Sequence, residues 1–143
     1  MRAFFVTGFF LAISLLTQGC GTTAAQRLDS ASLAGLWRGE VDTPRGTGAS
    51  AARSSSPRVL RIAPMKRGDT AAVGHYGYSQ ATIRVYITVV RMENRIGIRF
   101  LPDPGHRVEL TLVDGDRLVG YLHSGSVANP MKLLRVRSTN QDE

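Results

Sequence analysis

From residue 33 onward, apolar and polar side chains alternate along most of this chain. A period of two is the signature of a strand whose two faces meet different surroundings. The pattern predicts eight strands. The first covers residues 36–42 and sets Trp37, Gly39 and Val41 on one side. Strands over 58–65 and 70–78 follow. The longest covers 83–92, with Ile83, Val85, Ile87 and Val89 on one face and Arg84, Tyr86 and Thr88 on the other. Residues 95–100 align Ile96, Ile98 and Phe100. Residues 107–113 align Val108, Leu110 and Leu112 against Glu109 and Thr111. Residues 117–122 align Leu118, Gly120 and Leu122, and 131–136 complete the set.

The segments between them carry turn chemistry. Lys66-Arg67-Gly68-Asp69, Glu93-Asn94 and Pro102-Asp103-Pro104-Gly105 all break a strand. Asp114-Gly115-Asp116 is the best hairpin signal, because Asp-Gly accepts the positive φ angles of a two-residue turn. Strands joined by tight turns form an antiparallel meander. Eight strands with one apolar face each are satisfied most simply by closing the sheet, which removes its exposed edges. The expected fold is therefore all-β, a small closed or nearly closed barrel, with a two-sheet sandwich as the alternative. No helical period of ten residues or more occurs after Cys20. A single helical turn fits residues 28–33. Residues 44–57, rich in Gly, Ala and Ser, read as a long loop, and 138–143 as a polar tail.

Composition adds little to this fold. Of 143 residues, 43% are hydrophobic and 20% charged, as in ordinary globular domains. The net charge of +7 comes almost wholly from arginine, since Lys66 and Lys132 are the only lysines. The charges are scattered and lack a platform of stacking aromatics, which argues against nucleic acid as a partner. A single cysteine, Cys20, excludes a disulfide partner within the chain and any cysteine-cluster metal site.

The surroundings of Cys20 give that cysteine a role. Arg2 precedes an apolar run over residues 3–16, interrupted only by Thr7, Gly8 and Ser14. This is the length of a signal-peptide core and too short to span a bilayer. The run ends in Leu16-Thr17-Gln18-Gly19-Cys20, which resembles the lipobox of bacterial lipoproteins. Gly19 and Cys20 match its tightest positions, whereas Thr17 stands where leucine is usual. The resemblance implies a signal peptide over 1–19, lipid on Cys20, a tether over 20–34 and a barrel domain over 35–137. It further implies a cell-envelope location. Gly21 after the cysteine is not an acidic retention signal, which points to the outer membrane, facing the periplasm.

Within the domain, Gly35-Leu36-Trp37 resembles the opening strand of lipocalin-like and avidin-like barrels, in which the indole plugs one end. Gly74-His75-Tyr76 is similar to a following strand of avidin-like proteins. Leu133-Leu134-Arg135-Val136 resembles a lipocalin-like closing strand, where an arginine packs over that tryptophan.

The candidate chemistry is sparse. His75, His106 and His123 lack metal-ligand spacing, and no metal or other cofactor is expected. His123-Ser124-Gly125-Ser126 places a base beside two hydroxyls, but without the strand–turn–helix setting of a nucleophile elbow. Tyr76 and Tyr86, with Trp37 and Arg135, are the candidate ligand-binding residues, provided that their side chains face a cavity. The expectation is a non-enzymatic module that binds a cell-envelope partner. The alternative is a carrier of a small apolar or anionic ligand in a barrel mouth near Trp37 and residues 44–57. A hydrolase is the remote third.

Overall fold

The computed structural model describes residues 28–45 and 52–137. Its eight antiparallel strands close into a barrel, and the sandwich is set aside. They are β1 (Gly35–Arg45), β2 (Ala52–Ile62), β3 (Ala71–Tyr78), β4 (Ala81–Met92), β5 (Arg95–Asp103), β6 (His106–Leu112), β7 (Arg117–Ser124) and β8 (Val127–Arg135). Each pairs with the next, and β8 returns to β1 through registers such as Gly39 opposite Leu133. A short 3₁₀ helix, η1 (Ser30–Leu33), precedes β1. It is capped by Asp29, whose carboxylate accepts from the Ala31 N–H.

The alternation places the core as the sequence pattern predicts. Trp37, Leu60, Val85, Ile87, Ile96, Ile98, Val108, Leu110, Leu118 and Leu133 are among the buried residues that fill the interior. Ile83 shares the inward side of β4 with Val85 but is half exposed, because it lies where the barrel is open.

One expectation is corrected. Residues 44–57 are not one long loop: β1 continues to Arg45 and β2 begins at Ala52, with Pro44 opposite Arg53 and Glu40 opposite Pro57. The start of β2 is polar, so no hydrophobic alternation marks it. The backbone ladder of the hairpin extends through it regardless of side chain. Residues 46–51, the expected leader over 1–19, Cys20, residues 21–27 of the expected tether and residues 138–143 lie outside the described residues.

The meander gives the barrel two distinct ends. The starts of the odd strands lie together, and η1 covers that end. Trp37 is fully buried there, and its indole N–H donates to the Leu33 carbonyl at 3.0 Å. The Arg135 guanidinium lies 4.2 Å over the indole ring. It donates to the carbonyls of Ala34 (2.7 Å), Gly115 (2.8 Å) and Ser32. One side chain therefore ties η1, the 114–116 turn and the tryptophan plug together. Burial lowers the Arg135 pKa, against the pull of Asp116. A cation over a desolvated tryptophan adds about 2 kcal/mol beyond its hydrogen bonds. The opposite end, formed by the 78–81, 103–106 and 124–127 turns, carries no such plug among the described residues.

Candidate functional site

The open end holds a cavity of about 350 Å³. Arg58 of β2 dominates it. Inward positions on β2 alternate, so Arg58 shares the side of Leu60 and Ile62, both buried. Its Nε–H donates to the Tyr76 hydroxyl at 3.1 Å, and its Nη1 donates to Ser56 Oγ at 2.6 Å and to the Pro57 carbonyl at 3.0 Å. The guanidinium also lies 4.2 Å over the Tyr78 ring. All these partners are uncharged. A half-buried guanidinium held by neutral groups keeps a full positive charge available to a ligand.

Tyr76 sits beneath it, buried, with its ring edge-on to Phe100 at 5.1 Å. Burial pushes the Tyr76 pKa up, opposed by the Arg58 charge. Because its oxygen accepts from Arg58, its own proton is free to donate into the cavity. Ile83, Pro102, Leu122 and the Tyr78 ring supply apolar wall. Pro102 cannot donate to the ladder, and the β5–β6 register shifts between Phe100 and Asp103 at that point. Such an irregularity bends the strand locally, here beside the cavity.

On the rim, His106 Nδ1 lies 2.7 and 2.8 Å from the two Asp103 carboxylate oxygens. That hydrogen bond, with another from the Gly105 N–H, holds the Asp103 carboxyl below its usual range. Asn129 of β8 is buried on the inward side, opposite Leu122, and its Oδ1 has no partner among the described residues. It is a second polar group inside the open half of the barrel.

The four residues proposed from sequence do not converge. Tyr76 is at the mouth. Trp37 and Arg135 are at the closed end, some seven strand residues, or about 23 Å, from Pro44. The mouth therefore is not near Trp37, because β1 runs the length of the barrel between the two. Tyr86 is on the outer wall, 73% exposed. Arg58 and Asn129 replace them as the residues that share the open end with Tyr76. Arg58 had a signal in sequence, since its parity with Leu60 and Ile62 sets it inward. Asn129 had none, since it falls before the predicted last strand.

The serine–histidine grouping is also separated. His123 faces outward, 3.5 Å from Glu109 Oε2 without hydrogen-bond geometry. Ser124 lies opposite His106 in register. Among the described residues, no serine hydroxyl bonds to His106 or His123. A nucleophile needs its base within hydrogen-bond reach. Among the described residues, no three His, Cys, Asp or Glu side chains gather as a metal site, and no helix is long and apolar enough to cross a membrane. A larger groove of about 650 Å³ lies on the outer wall, where Glu109 already pairs with Arg99 at 2.7 Å.

Compared with known proteins, the chain matches no family model, no curated protein and no solved structure.

Proposed function

We propose that this chain is a cell-envelope lipoprotein, held through lipid on Cys20, whose non-enzymatic barrel binds a small ligand in its mouth. One observation carries the binding reading. The barrel is plugged at one end and open at the other, and the open end presents the charge of Arg58, which has no carboxylate partner among the described residues, beside an apolar wall. The volume of about 350 Å³ is within the range of small-molecule sites. An anionic or acceptor-bearing end would meet Arg58 and the Tyr76 hydroxyl, and an apolar body would lie against Ile83, Pro102 and Leu122. The lipid anchor is supported by Gly19-Cys20 after the apolar run. The outer membrane, facing the periplasm, remains the proposed location.

Mass spectrometry of the intact protein, purified in mild detergent under native conditions, tests both halves. The expected result is a chain that begins at acylated Cys20 and carries a retained small anion that is released on denaturation. An unmodified Cys20 sinks the anchor. A protein that retains nothing, and whose melting temperature no anionic amphiphile raises, sinks the carrier reading.

A further inference from the structure

A second surface, apart from the mouth, is built for negative charge. Strands β2, β3 and β4 contain no acidic residue. On their outer side, Arg61 stands directly opposite His75, and His75 directly opposite Arg84. All three are exposed. The row carries two guanidinium charges and no carboxylate, so nothing within it balances them. Neighbouring strands are about 4.8 Å apart, which sets the two arginines roughly 10 Å from each other. Tyr86, two residues along from Arg84, is largely exposed, with the Arg84 guanidinium 5.5 Å over its ring. On β5 to β7 arginines meet carboxylates. There Arg99 and Arg107 both reach Glu109, and Arg117 pairs with Asp114. Each of those three has a carboxylate partner; Arg61 and Arg84 have none among the described residues.

We infer that the outer wall of β2–β4 docks on an anionic lipid surface, with Arg61 and Arg84 on phosphate headgroups and Tyr86 in the interface. The row is too wide for one small anion and fits a plane that carries many. A tyrosine with an apolar ring and a polar tip suits the headgroup layer. A nucleic acid would call for several stacking aromatics, and this wall exposes one. The inference shares with the proposed anchor only the nearness of a bilayer. It does not require the lipid on Cys20.

The test is arginine footprinting of the full chain, purified in detergent and mixed with vesicles of phosphatidylcholine alone or with phosphatidylglycerol added. An arginine-selective dicarbonyl labels the protein, and mass spectrometry reads each site. Labelling of Arg61 and Arg84 is expected to fall about fivefold with the anionic lipid, while Arg107 and Arg117, on the opposite strands β6 and β7, stay unchanged. In Arg84→Gln, the protection of Arg61 should shrink towards the value in phosphatidylcholine. Equal labelling of Arg61 and Arg84 in both vesicles overturns the inference. So does equal protection of all four arginines, and so does protection by heparin without protection by vesicles. The intact mass from the same preparation reports on Cys20 separately, so a missing lipid and a missing docking face give different results.

Discussion

Asp103 shows how a rim residue couples the mouth to pH. Its carboxyl is held below the usual range, first by the His106 hydrogen bond and then by the Gly105 N–H. A carboxylate with a lowered folded pKa adds stability above its unfolded value of about 3.9. That share is lost as the pH falls through the lower, folded value. The side chain is exposed, so the contribution is modest. Asp103→Asn removes it at neutral pH and has little left to remove in acid. Thermal melts between about pH 7 and about pH 2 should therefore show the two proteins converging at the acid end. A gap that stays constant across that range would show that Asp103 acts only through shape. Tyr76 works in the opposite direction. Burial raises its pKa, so its neutral form adds stability that is present below about pH 10 and lost above it.

At the scale of the strand, closure depends on close backbone approach. Gly39 of β1 pairs with Leu133 of β8, and a Cβ there would run into the Lys132 backbone carbonyl. Backbone cannot rotate aside as a side chain can. Gly39→Ala should thus cost about 1–3 kcal/mol, read as a lower urea midpoint with an unchanged slope. Fast hydrogen exchange confined to β1 and β8 would locate the damage at the seam. A midpoint equal to wild type would mean that the barrel closes more loosely than its registers indicate. The strands themselves were legible because each carries an inward apolar series, such as Ile96, Ile98 and Phe100. The hairpin turn at Gly115 was legible because its φ of 40° suits glycine. The first half of β2 was hidden, since Ser54, Ser55 and Ser56 carry no alternation of polarity. The mouth was half legible. Parity already set Tyr86 with Arg84 and Thr88 on the outside, and it set Arg58 inside. Which end is open depends on η1 and Arg135 folding over the other end, and these are contacts between residues about a hundred positions apart.

The whole molecule sets stability against function at its open end. A barrel of eight strands fills easily with aliphatic side chains, as the closed half of this one shows. At the mouth the chain instead places a guanidinium on the inward side, and its partners among the described residues are neutral. Partly removing a charge from water costs free energy that neutral hydrogen bonds offset incompletely. Replacing such a group by an apolar one of similar volume is often neutral or stabilising, by about 1–4 kcal/mol. Arg58→Met should consequently leave the melting temperature unchanged or raise it, since Tyr76 and Ser56 can still turn to water at the open end. The same variant should lose any anion retained through native purification, and it should no longer be stabilised by anionic amphiphiles. The two readouts must move apart. If stability and binding fall together, Arg58 is a structural brace and the mouth is not a binding site. If binding survives the loss of the charge, the ligand is held by Ile83, Pro102 and Leu122 alone, and the anionic end of the ligand has no role.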